Sequence, residues 1–259
     1  EWDEILRFNN DTTSWAWDTL LPYFKNMENN SRLDNEFHGK TGSLMVSDSS
    51  HIDQLTKDFI KTIEELGVPY TDDFNGSSQR GVGFYQFMNR DGKRSSAAYA
   101  FISPEKHNPK LDVNLNSSIE KIIIEKNKAI GVEYRNSKGE LKKKFADKEI
   151  ILAAGSFITP KLLMLSGIGN AEELKKYEIP CIADLPGVGE NLIDHPECLI
   201  LAKANGPYGY YKQGVGWRMI KNGIQFMLLG SGPVNSTGVE AGAFINPIDQ
   251  DVPPSIQAF

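Results

Sequence analysis

At 259 residues the chain has room for one large domain or two ordinary ones, and 40% apolar with 24% charged residues is the balance of a globular protein. A formal net charge of −6 argues against a nucleic-acid groove or an anionic membrane surface as the main partner, and no apolar run approaches the length of a membrane span. Two cysteines (Cys181 and Cys198) and four histidines are too few for a metal centre of the Cys/His kind; pairing of the two is open, and core thiols are the expectation.

Residues 14–27 carry a short helical pattern interrupted at Pro22. His38–Asp48 reads as a turn followed by a strand. Ile52, Leu55, Phe59, Ile63 and Leu66 then fall at helical spacing, with Ser50 as N-cap and Gly67 closing the helix before Pro69. Gly81–Arg90 is an apolar, aromatic segment, in which Gln86 either faces a substrate cavity or is a polar residue within buried surroundings. Gly92–Pro104 reads as a turn into a helix.

From Leu111 the pattern changes to β. Five short runs (LDVNL, IEKIIIE, AIGVEYR, ELKKKFA and EIILAA) are separated by polar or glycine-bearing turns, the β excursion expected inside a dinucleotide-binding α/β fold. Lys142–Lys144 alternate on a solvated strand or turn. The last run, Glu149–Ala153, breaks at Gly155 into a helix start. A strand that stops at a glycine and opens a helix brings bare backbone N–H groups to whatever lies above the sheet edge, which suits a cofactor carrying a pyrophosphate. Beyond a Pro/Gly-rich loop ending in Asn191-Leu-Ile-Asp194-His195, a strand is expected over Cys198–Ala202, a helix over Val215–Leu229 and a strand near Ala241–Ile245. A domain change is expected near Pro196.

The run from Gly155 to Gly169 (Gly155, Ser156, Thr159, Pro160, Leu163, Ser166, Gly167, Ile168, Gly169) resembles the second signature of the glucose–methanol–choline (GMC) flavin oxidoreductases. LPGVGENLIDH, which follows, resembles the next block of that family, as does LLPYFK at Leu20–Lys25. Arg94–Ala100 and the stretch GPVNSTGVEAGAFI resemble the insect glucose-dehydrogenase-like branch. The resemblance implies an α/β fold with an FAD-binding, glutathione-reductase-like part bearing a β-meander insertion. That part would occupy residues 1–196, interleaved with substrate-side segments, and residues 197–259 would begin an α+β substrate domain with an antiparallel sheet. It implies FAD as cofactor, oxidation of an alcohol or sugar CH–OH group by hydride transfer to flavin N5, and an electron acceptor such as oxygen or a quinone. A non-catalytic scaffold or binding protein of the same family is the alternative.

Carried over residue by residue, the resemblance points to Gly155 and its neighbour Ser156, to Ile119 (adenine contact from the backbone, where the family more often has Val) and to Asn191 in the loop beside the flavin. It places the catalytic histidine beyond Phe259, so no catalytic residue is expected within the chain, and Asp194-His195 reads as loop architecture. No Gly-x-Gly-x-x-Gly occurs in the chain. Both ends read as cut, so the chain is expected to be the middle of a longer protein. His38, His51 and His107 are expected at the surface, and the four tryptophans in packing roles. Five Asn-x-Ser/Thr sequons, at Asn10, Asn29, Asn75, Asn116 and Asn235, point to a secreted glycoprotein.

Overall fold

The computed structural model describes residues 14–249 and 252–259; Trp2 and Asn10 lie outside the described residues. Two compact units emerge: one holds the described residues up to Leu111 together with Ala202–Phe259, and the other is Asp112–Leu201.

The first unit opens with helix α1 (Trp17–Met27), which runs through Pro22 instead of breaking there. Proline at that point removes one amide donor, toward Asp18, and leaves the remaining ladder intact. Strand β1 (Glu28–Asn30) pairs in parallel with β2 (Leu44–Asp48), as expected for the segment after His38. Helix α2 (Gln54–Glu65) is capped by Asp53, whose carboxylate accepts from the Leu55 amide at 2.8 Å; Ser50, the expected cap, instead accepts from the Asn235 side chain. The helix presents Ile60 to β3 (Gly81–Phe84), and Ile60 with Val82, Ala241 and Ala243 forms the buried core of this unit.

Strand β4 (Gln86–Phe87) pairs with β2, and β5 (Asn89–Arg90) with β6 (Lys93–Arg94) across Asp91-Gly92. Both turn residues have positive φ, the two-residue hairpin geometry for which Asp-Gly is suited. Of the helix expected up to Pro104, a short π-helical segment, Ala98–Ile102, forms.

The second unit is built on an antiparallel meander of β7 (Ser118–Glu125), β8 (Lys128–Arg135) and β9 (Leu141–Phe145). The first hairpin turns on Lys126-Asn127, both at positive φ. Three of the five expected β runs therefore form strands. LDVNL and Glu149–Ala153 form none: neither enters a backbone ladder with another described segment. Helix α3 (Gly155–Leu165), strand β10 (Ile168–Gly169), helix α4 (Ala171–Lys176) and strand β11 (Ala183–Asp184) follow, with β10 and β11 parallel.

Residues 191–204 carry no regular structure, so the strand expected at Cys198–Ala202 is absent, and Leu199, Ile200 and Leu201 are exposed. Cys181 and Cys198 are free and exposed, not core thiols. The chain then returns to the first unit with helix α5 (Gly216–Leu229), as expected. Strand β12 (Ala241–Ile245) follows and pairs with β3 on one side and with β13 (Ile256–Ala258) on the other. Trp15, Trp17 and Trp217 are exposed rather than packed in a core, although Trp17 stacks on Phe24.

Candidate functional site

The start of α3 is unusual in chemical terms. Ala154 offers no side-chain cap and its own amide donates to Thr159 Oγ1 at 3.2 Å, while the first turn contains no acidic residue. The first turn therefore brings no acidic side chain of its own to the positive end of the helix dipole. Gly155 has φ +85°, and a Cβ built there would meet nothing within 4 Å. Glycine is thus demanded by backbone rotation, and the space above it is open to close approach of another group.

The other end of α3 is anchored. Ser166 Oγ donates to Leu162 O at 2.5 Å and accepts from the Ile122 amide of β7 at 2.8 Å, both within buried surroundings. At Gly167 (φ +85°) a Cβ would come within 2.5 Å of Pro180 O, so side chains are excluded there by both rotation and crowding. The Ser-Gly-Ile-Gly turn thus sets where α3 stands against the meander.

A largely apolar cleft of about 1230 Å³ lies along α3, lined by Ser156, Pro160, Leu163, Met164 and, from the following loop, Val188 and Asn191. Ser156 and Asn191, far apart in sequence, are brought to this one cleft, and Asn191 holds a left-handed backbone at φ +57°. Gly155 adjoins it at the helix start. Ile119 stands opposite Tyr134 on β7, 37% exposed, and is not part of the cleft lining. His195 is exposed; the Asp194 carboxylate accepts from the backbone amide of His195 at 2.8 Å.

Two polar centres of the first unit escaped the sequence reading. His38 is buried, not at the surface, because its ring is clasped: Nδ1 lies 2.9 Å from Glu28 and Nε2 3.1 Å from Asp73. Asn30 continues this network by donating to Glu28 at 2.9 Å and to Gln86 at 2.8 Å. Gln86 in turn donates to Asp48 at 2.8 Å, so it belongs to a structural network.

The second centre is Glu240, 2% exposed on the approach to β12. It accepts from the Asp53 amide at 2.9 Å, from Thr56 Oγ1 at 2.9 Å, and from the hydroxyls of Tyr210 and Ser236. Burial works against its ionised form, but the bonds from Ser236, Tyr210, Asp53 and Thr56 outweigh it and hold the carboxyl below its ordinary value. Burial, and then the hydrogen bond to Glu240, push the Tyr210 phenol up. Residues 184 and 187 positions apart meet at this carboxylate, a pairing with no local signal in the sequence.

Taken together, this is a mixed α/β protein with several small sheets, in which an uncapped helix opened by glycine stands against an antiparallel meander. The family model described as GMC oxidoreductase matches residues 5–197, and the chain belongs to that family. An alcohol dehydrogenase [acceptor] of Pseudomonas putida is 35% identical over 249 residues, covering 94% of this chain and 45% of that protein. The oxygen-dependent choline dehydrogenase of Escherichia coli K12 is 32% identical over 247 residues, covering 94% of this chain and 44% of that protein. The chain therefore spans less than half the length of these relatives. Among solved structures, a formate oxidase variant of Aspergillus oryzae superposes with TM-score 0.77 at 28% identity, covering 89% of this chain and 42% of that one. An FAD-dependent oxidoreductase of Chaetomium thermophilum, 24% identical with TM-score 0.81 over 95% of this chain and 46% of its own, shares the fold.

Proposed function

We propose that this chain is a central part of an FAD-dependent oxidoreductase that oxidises the CH–OH group of an alcohol or sugar and passes the electrons to oxygen, a quinone or another acceptor. The observation that carries the reading is the start of α3, with its uncapped amides, no acidic neighbour in the first turn, and a Gly155 backbone open to close approach. These features fit an anionic pyrophosphate. When bound, FAD supplies the hydride acceptor.

The residues of this chain bind and orient. The α3 amides and Ser156 would hold the pyrophosphate side, the backbone of Ile119 the adenine, and Asn191 the loop that closes over the cofactor. Ser166 keeps α3 in register with β7. In this reading the acid–base histidine is supplied from outside the chain, and His195 serves the loop. The cofactor part is glutathione-reductase-like, spans residues 1–196 with interleaved substrate-side segments, and gives way to the substrate domain at 197–259. Pairing of β3 with β12 supports the interleaving. Arg94–Ala100 and the stretch GPVNSTGVEAGAFI support a place in the insect glucose-dehydrogenase-like branch. The number of sequons supports passage through the secretory pathway, and no helix of the described residues is long and apolar enough to cross a membrane.

The test is the absorbance spectrum of the intact protein, followed anaerobically against a panel of alcohols and sugars. Flavin bands that bleach with one of them are expected. An intact protein without flavin overturns the cofactor assignment, and bound flavin that no CH–OH donor reduces favours the non-catalytic scaffold.

A further inference from the structure

The four described sequons differ sharply in their surroundings, and the difference singles out one. Asn75 sits at the exposed tip of a turn that is anchored by the two residues before it. Asp73 is tied to the buried His38 and accepts the Asn75 backbone amide at 2.9 Å. Phe74 is buried against Tyr85 and Phe244, with ring centroids 5.3 and 5.0 Å away. The side-chain amide of Asn75 makes no hydrogen bond among the described residues, and Ser77, the third sequon position, is exposed beside it.

The three other described sequons are placed differently. Asn29 lies in the β1–β2 ladder, half-buried, with its side-chain oxygen accepting from Arg90 at 3.0 Å. Asn235 uses Nδ2 itself, donating to Gly230 O at 3.1 Å and to Ser50 Oγ. A glycosylated Nδ2 keeps a single hydrogen, so one of those two bonds would be lost. Asn116 is exposed, but its sequon runs into β7 at Ser118, immediately before Ile119, the strand proposed to meet the adenine.

We propose that Asn75 is an N-glycosylated residue of this chain, an inference that rests on the secretory reading given above. In the transfer, Nδ2 of Asn75 bonds to the anomeric carbon of a polyprenyl-diphosphate-linked oligosaccharide. The bond from that carbon to the diphosphate oxygen breaks, the amide gives up one proton, and the lipid diphosphate leaves. The anchored base holds the tip clear of the core, so a bulky glycan is carried without disturbing packing.

The test expresses the intact protein behind a secretory leader in mammalian cells and treats its peptides with peptide N-glycosidase in ¹⁸O-water. An enzyme-free control runs in parallel, because Asn75-Gly76 can also deamidate spontaneously. The expected result is heavy oxygen at Asn75 only with enzyme, lost in Ser77→Ala, kept in Ser77→Thr, and absent at Asn29 and Asn235. A bare Asn75 in the secreted protein, or a glycan on Asn29 or Asn235 in its place, overturns the assignment. A second glycan on Asn116 leaves Asn75 standing and counts against the role given to Ile119. Fractionation of the native protein separates the two layers. If it is cytosolic and bare while the leader-directed form is glycosylated at Asn75, the secretory reading has failed and native modification with it.

Discussion

Gly155 is held by rotation and not by crowding, so its replacement has a specific signature. A β-branched residue at φ +85° costs about 1–3 kcal/mol in backbone strain and places its methyl groups in the open space beside the helix start. Gly155→Val in the intact protein is expected to lower the flavin content per folded molecule well below that of Lys143→Ala, a change on an exposed strand position; absorbance ratios of flavin to protein give the comparison. His195→Ala is expected to slow stopped-flow flavin reduction by less than about tenfold, against the ~10²–10⁴-fold loss that removing an acid–base group produces.

Glu240 gives a pH prediction with a definite sign. Its carboxyl lies below the ordinary glutamate value of about 4.3, so the unfolded chain binds more protons on acidification. Its contribution to stability is fully present above that value and is lost as the pH falls through the lowered folded one. Thermal unfolding followed against pH should show wild type losing stability on acidification more steeply than Glu240→Gln. The helix start at Gly155 was legible because a local turn dictates it. Glu240 and His38 were not, since their burial depends on partners many residues away that no local pattern announces.

Among the elements, α3 and β7 are tied together by the buried hydroxyl of Ser166. Ser166→Ala removes the acceptor of the Ile122 amide and should destabilise the protein by about 1–3 kcal/mol, the cost of a buried donor left unpaired. Denaturant titration checks this, and Ser166→Thr, which retains the hydroxyl, should lose less. Elements set by their own pattern were readable in advance: α2 from its apolar spacing, the meander from its turns, and α5 and β12 from position and composition. Glu149–Ala153 and Cys198–Ala202 have the composition of strands, yet a strand is a relation between two segments. Composition does not reveal whether a neighbour is at hand. The Pro22 break failed for a related reason: one missing donor does not end a helix whose other bonds are made.

At the scale of the whole chain, the prediction concerns retention of cofactor. The chain holds the uncapped helix start but contains no Gly-x-Gly-x-x-Gly turn, so on the proposed reading it would supply one half of a pyrophosphate cradle. The 259-residue chain mixed with FAD and desalted should keep no flavin absorption, whereas a stoichiometric yellow complex would show that the α3 region suffices.

The pairing of β3 with β12 also has a temporal side. Phe84 and Ala241 are partners in the ladder, yet 157 residues separate them (241 − 84), including the whole of the second unit. At a synthesis rate of 5–20 residues per second, β3 emerges roughly 8–30 s before its partner exists. During that interval Asp112–Leu201 can collapse on its own nearby hairpins, while the edge of β3 and the apolar face of α2 wait uncovered. On the ribosome the inserted unit is therefore ready first and the enclosing one last. The nascent chain's exposure to chaperones, and to pairing with other copies of itself, is set by how long β3 must wait.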